Sequence, residues 1–257
     1  VHPFVLCPSW AKIADLPLAE KVAAMREPDL RKALLSEEFG EGHPFNALAR
    51  NWEWMFPLDS PPDYAPPKSS SMADQARTRG CTPQEVAYER LLATDGKGLF
   101  LAALGNFENA SLDSAHEMLA HPHCVPALGD GGAHYGAICD ASYSTFLLKH
   151  FVRDRRDGGF GLAEAVHMLS QKSALAVGLA DRGTLKVGAK ADINVIDMDR
   201  LELHIPEIVR DLPAGGRRLH QRATGYDATI VSGEIIRRFD ESTGARPGRL
   251  VRGAQAA

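Results

Sequence analysis

At 257 residues, with 44% hydrophobic and 24% charged side chains, the sequence has the make-up of a globular protein with room for a sizeable core, which excludes a disordered or fibrous chain. A formal net charge of −4, with no Lys/Arg run beyond pairs such as Arg155-Arg156 and Arg217-Arg218, leaves no footprint for nucleic acid or an anionic membrane, so the expected partner is a small molecule. Cys7, Cys81, Cys124 and Cys139 are scattered without a C-x-x-C pair, and no window approaches the roughly 18 consecutive apolar residues of a membrane span; the expected compartment is the reducing cytoplasm.

In chain order, residues 1–7 read as the tail of a strand entered in mid-fold, and the expectation is a C-terminal portion of a longer protein. Leu18, Val22 and Met25 recur at helical spacing, and a second helix runs through Leu30, Leu34 and Leu35 behind Pro28. Residues 57–71 are too rich in Pro and Ser for regular structure and read as a loop or lid. Ser71 can cap a helix over residues 72–79, and Thr82-Pro83-Gln84-Glu85 opens another that continues to residue 93.

Residues 98–104 form a continuous apolar run of the kind buried on both faces of a parallel sheet. A helix over residues 111–119, a strand over 124–128 and a helix near 145–153 follow, and this alternation is the βαβ rhythm of a parallel sheet. Residues 162–169 and 172–177 are helical, with Gly178 at the C-terminal cap. Beyond Gly183, residues 184–187, 191–197 and 228–237 are short β runs broken by Gly188, Gly225 and Gly233, and read as a small appended sheet. A whole (β/α)8 barrel needs about 250 residues, so the fold expected is α/β: a partial TIM-like barrel over residues 1–182 and a small C-terminal β domain over 183–257.

The chemistry centres on Leu128-Gly129-Asp130-Gly131-Gly132-Ala133-His134. A strand that opens into Asp-Gly-Gly places a carboxylate at the C-terminal rim, where barrel enzymes hold their reactive groups, although Asp-Gly is equally a turn dipeptide. Gly131 and Gly132 would let backbone approach a substrate closely or simply make the turn. His134 reads either as a group that orients substrate or as a polar loop residue, and Asp140, Ser142 and Tyr143 share its loop. His121-Pro122-His123 has the H-x-H form of a metal-ligand pair, yet it stands before the expected strand, more than about 10 Å from the rim. In Gly183-Thr184-Leu185-Lys186-Val187-Gly188-Ala189-Lys190-Ala191-Asp192-Ile193-Asn194-Val195-Ile196-Asp197, Leu185 and Val187 pair with Ile193 and Val195 across a turn at Gly188, an architectural hairpin.

Four segments resemble the amidohydrolase superfamily, and within it the amidohydrolase-3 group that contains N-acyl-D-amino-acid deacylases: residues 129–134, Lys172-Ser173-Ala174-Leu175-Ala176-Val177-Gly178-Leu179, residues 183–197, and Ala228-Thr229-Ile230-Val231-Ser232-Gly233-Glu234. Gly129 stands where family members usually have serine. The resemblance implies a zinc enzyme that hydrolyses non-peptide C–N bonds of an N-acyl amino acid or related amide. Asp130 would contact the metal-bound water, take its proton and return it to the leaving amine. No H-x-H ends any strand, so the histidine ligands are expected outside this chain. A cyclic-amide hydrolase of the dihydroorotase or hydantoinase kind, and a non-catalytic binding or assembly protein retaining the fold, remain open alternatives, as does an oligomer.

Overall fold

The computed structural model describes residues 2–38, 46–127, 134–155 and 157–254. The chain separates into two compact units, Val1–Ala115 and His116–Ala257, each with buried apolar residues of its own.

In the first unit the helices begin where side chains cap them. Ser71 Oγ accepts the Asp74 N–H at 3.1 Å ahead of helix Met72–Arg79, which stops at Gly80 in the left-handed region. Thr82 and Glu85 form a reciprocal capping box before helix Pro83–Ala93, with the Thr82 N–H donating to Glu85 Oε2 at 2.8 Å and the Glu85 N–H donating to Thr82 Oγ1 at 3.2 Å. Helices Leu18–Met25 and Pro28–Ser36 bury Met25 and Leu34 among Phe4, Met72, Val86, Tyr88 and Leu91. Each such side chain contributes about 1.5–3 kcal/mol on burial.

Strand β1 (Met55–Leu58) pairs antiparallel with β2 (Leu99–Ala102), Met55 opposite Ala102 and Leu58 opposite Leu99. The second strand falls in the expected apolar run. Its partner is the stretch after Trp52 and Trp54, and the parallel βαβ pairing expected from the alternation does not form among the described residues. The Pro-rich segment that follows β1 is irregular and is held at both ends by cations. Arg90 Nη2 donates to the Leu58 carbonyl at 3.1 Å; Lys68 Nζ donates to Glu53 Oε2 at 2.6 Å and Asp74 Oδ2 at 3.2 Å, and lies over the Trp54 ring.

In the second unit, residues 124–127 are not a strand. Pro122 and Pro126 have no N–H to give to a ladder, so the apolar character of this run was a misleading guide. Helix Tyr143–Phe146 continues as a π-helical stretch, Leu147–Asp154, that buries Leu147, Leu148 and Phe151. Helix Ser173–Ala176 ends in a Schellman motif: the Leu179 N–H donates to the Ala174 carbonyl at 2.8 Å and the Gly178 N–H to the Leu175 carbonyl at 3.1 Å, with Gly178 at φ +77°.

The chain then enters β3 (Ile193–Ile196), β4 (Glu202–Leu203), β5 (Glu207–Leu212), β6 (Gly216–His220), β7 (Ala223–Thr224), β8 (Tyr226–Val231), β9 (Glu234–Arg238) and β10 (Glu241–Ser242). All pairs are antiparallel: β3, β8, β9 and β10 form one sheet, β4 pairs with β7, and β5 with β6. Ser232 and Gly233, both at positive φ, close the two-residue turn between β8 and β9. The expected strand over 184–187 is absent: Leu185 and Val187 are exposed, and β3 pairs with β8 instead. Gly188 has the positive φ expected of it. Gly183 matters more, because a Cβ there would stand 2.7 Å from the Cα of Gln171. The C-terminal signature therefore sets a close backbone crossing at Gly183 as well as a turn at Gly188.

Candidate active site

Asp130, Gly131 and Gly132, with Leu128, Gly129 and Ala133 beside them, lie outside the described residues. His134 begins the described part of the same loop. It is exposed and sits at φ +52°, and its carbonyl accepts the N–H groups of Ala137 at 2.8 Å and Ile138 at 3.0 Å. A non-glycine residue at positive φ is uncommon, and here His134 opens a turn that its own carbonyl closes.

The loop is seated on the β5–β6 hairpin. The Leu219 N–H of β6 donates to the Tyr135 carbonyl at 2.7 Å. Seven residues on, Ser142 Oγ donates to Gln221 Oε1 at 2.6 Å, and Gln221 Nε2 donates to the His204 carbonyl at 2.8 Å. The His204 ring shares a 3.3 Å hydrogen bond with Thr224 Oγ1. The helix that follows is fastened in turn: Thr145 Oγ1 and the Tyr226 hydroxyl lie 2.7 Å apart, and Arg153 Nη1 donates to the Leu201 carbonyl at 2.6 Å. Both ends of the 134–146 segment are thus fixed to strands.

The hairpin carries its own polar cluster. Arg218 Nε and Nη2 donate to the two carboxylate oxygens of Asp211 at 2.8 and 2.7 Å, and Nη1 donates to His220 Nδ1 at 3.1 Å. A guanidinium can only donate, so His220 Nδ1 is the acceptor in this bond. Hydrogen bonding from Arg218 holds the Asp211 carboxyl below its ordinary range. Burial pushes the Cys139 thiol up, Asp140 adds to the effect, and Arg218 opposes it. Cys139 is therefore a protonated thiol at neutral pH and not a nucleophile.

Among the described residues no three His, Cys, Asp or Glu side chains come together as a metal-binding group. His121 and His123 are exposed, and the His123 N–H donates to His121 Nδ1 at 3.3 Å, which occupies one of the ring nitrogens a metal would need. The strand from which their distance to the rim was reckoned does not form, but the described residues add no third ligand to them. His204, His220 and Arg218 had no motif to single them out; Arg218 was visible only as half of a charged pair. Among the described residues no helix is long and apolar enough to cross a membrane, and the four cysteines form no disulfide.

No curated protein matches the chain. Among solved structures it is similar to a D-aminoacylase point mutant in complex with copper(II) chloride, with 19% identity, 91% of this chain and 46% of that chain covered, and a TM-score of 0.43. The chain thus spans less than half the length of that protein. The amidohydrolase family model matches residues 1–237, a span that takes in Asp130, the loop from His134 to Ser142, the 183–197 signature and the β8 strand. The chain belongs to the amidohydrolase family.

Proposed function

We propose that this chain is the C-terminal portion of a metal-dependent amidohydrolase that cleaves non-peptide C–N bonds, with N-acyl-D-amino acids as substrates and Asp130 as acid and base. In this reading residues 1–182 contribute to a TIM-like barrel and residues 183–257 to a β domain. The observation that carries it is the family match over residues 1–237, which includes the Asp130-Gly131-Gly132 sequence. In this reading the metal's histidine ligands come from a part of the protein outside this chain.

Asp130 accepts a proton from the attacking water and returns it to the nitrogen as the amine leaves; a carboxylate serves both steps when it starts ionised. Gly131 and Gly132 let the backbone approach the substrate closely, and His134 orients the bound substrate. The absence of a hydroxyl at position 129 leaves Asp130 with one fewer side-chain partner than serine would offer.

The test uses the protein including the residues upstream of Val1, assayed with zinc against N-acetyl-D-amino acids, N-acetyl-L-amino acids, a hydantoin and dihydroorotate. Release of acetate from the D-series, lost on chelation and lost in Asp130→Asn, is the expected result. Cleavage of only the cyclic amides replaces the substrate assignment. Undiminished turnover in Asp130→Asn removes that residue from the chemistry, and no turnover with bound zinc favours a binding role. The 257-residue chain by itself is expected to show weak activity or none.

A further inference from the structure

We propose that the cleft between helix Pro28–Ser36 and the start of helix Pro83–Ala93 binds the phosphoryl end of a small molecule. The cleft has a volume of about 440 Å³, and every residue that lines it belongs to the first unit. Helix Pro28–Ser36 turns Leu34 into the core, and Pro28, Arg31, Lys32 and Leu35, at spacings of three, four and seven, form one wall of the cleft. Arg26, just past the last turn of helix Leu18–Met25, and Thr82 with Glu85 complete the lining. The fold thus gathers Arg26, Arg31 and Lys32 in one concavity against the single carboxylate of Glu85, and positive charge is in excess there.

The carboxylate is already committed. Glu85 Oε2 accepts the Thr82 N–H at 2.8 Å and the Thr82 hydroxyl at 2.9 Å, both within the capping box. The cations are matched less closely. Arg26 Nη2 stands 3.4 Å from Asp95, with both side chains more than half exposed. Arg31 Nη2 stands 4.0 Å from Glu89, which Arg79 shares at 3.8 Å. Ion pairs this long and this exposed hold their charges weakly, so an incoming anion can take them over. Lys32 is exposed, and the described residues give its ammonium no ion-pair partner.

The lining also selects among anions. A phosphoryl group directs its oxygens tetrahedrally and carries up to two charges, so it can accept from the helix face and from Arg26 together; a carboxylate has two oxygens in one plane and is satisfied by one arginine fork. The volume falls within the range of small-molecule sites, about 300–1,000 Å³, and Pro28 and Leu35 offer an apolar surface to the organic body that carries the phosphoryl group. The inference uses only residues of the first unit and stands apart from the hydrolytic reading.

The test is calorimetry on the 257-residue chain in about 0.15 M potassium chloride, which screens unspecific attraction, with pyrophosphate as the probe and citrate, an anion of similar charge, as the comparison. Pyrophosphate is expected to bind with a dissociation constant below about 1 mM and at least about fivefold more tightly than citrate. The double variant Arg31→Gln, Lys32→Gln is expected to weaken binding at least about tenfold and Lys32→Gln alone about threefold. Lys12→Gln, which removes an exposed cation outside the cleft, is expected to leave it unchanged. The thermal midpoint of each unliganded variant reports whether it is folded, and if the double variant is not, Lys32→Gln decides. Absence of binding by the unaltered chain, equal affinity for citrate, or pyrophosphate affinity undiminished in the folded variants overturns the assignment.

Discussion

The Tyr88 hydroxyl donates to the backbone carbonyl of Met25 at 2.6 Å, and through it helix Pro83–Ala93 holds the last turn of helix Leu18–Met25. Both residues are buried, and the Tyr88 ring stands edge-on to Phe4 at 5.4 Å. Tyr88→Phe keeps the ring but leaves the Met25 carbonyl without this donor. The expected loss is about 1–2 kcal/mol of stability, read as a lower urea midpoint at unchanged slope. An unchanged midpoint would mean that the carbonyl finds another donor and that the bond is worth little.

The same phenol makes a pH prediction. Burial pushes its pKa up to about 12, against a smaller opposing effect of Arg31. Because the folded value lies above the ordinary tyrosine value of about 10, the stability it contributes is fully present below pH ~10 and is lost as pH rises towards 12. The linked loss is roughly 2–3 kcal/mol. Urea titrations at pH 8, 10 and 11.5 should show a midpoint falling over this window in the unaltered chain and a flatter one in Tyr88→Phe. Parallel slopes in the two proteins would place the alkaline sensitivity elsewhere.

The glycines of the C-terminal signature should not be equivalent. Gly188 has φ +89° with open space around a Cβ, so Gly188→Ala meets backbone strain alone, about 1–2 kcal/mol. Gly183 has φ +84° and a neighbouring backbone, that of Gln171, within 2.7 Å of the Cβ position, so Gly183→Ala must also push two chain segments apart. Its cost is expected to be at least twice as large. Thermal unfolding of the two variants side by side is the check, and equal losses would show that the crossing at residue 171 yields easily.

What the sequence disclosed and what it hid divide along range. Ser71, the Thr82 and Glu85 pair, Gly178 and Gly233 act on backbone within a few residues of themselves, and each sits where local rules place it. The partner of β2 is decided by a stretch more than forty residues earlier, whose Trp and Pro content masks its extended conformation; nothing local to residues 98–104 distinguishes a parallel neighbour from an antiparallel one. The β5–β6 hairpin was invisible for another reason. Glu207, Arg210, Asp211, Arg217 and Arg218 give it no apolar alternation, because it is held by the cross-strand Arg218–Asp211 pair and by the loop at Tyr135 more than by a buried face. The candidate site divides the same way: the motif around Asp130 is a local signature in the sequence, whereas the hairpin that residues 135–142 bond to is reached only through tertiary contact.

Thr145 and Tyr226 supply the last prediction. Their hydroxyls lie 2.7 Å apart, joining helix Tyr143–Phe146 to β8, and Thr145 is buried. Burial raises the Tyr226 phenol and the bond to Thr145 partly restores it, so the two groups respond to one another. Removing either partner leaves the other hydroxyl enclosed without its mate, a cost of about 1–2 kcal/mol for Thr145→Val or Tyr226→Phe alone. Removing both eliminates the stranded group, so the double variant should cost clearly less than the two single losses combined, by about 1 kcal/mol. A double-mutant cycle measured by urea unfolding reads this coupling directly. Strict additivity would show that the helix is held by Arg153 and the buried Leu147 and Phe151 without help from the hydroxyl pair, and that the anchorage of the loop from His134 to Ser142 depends on packing rather than on this bond.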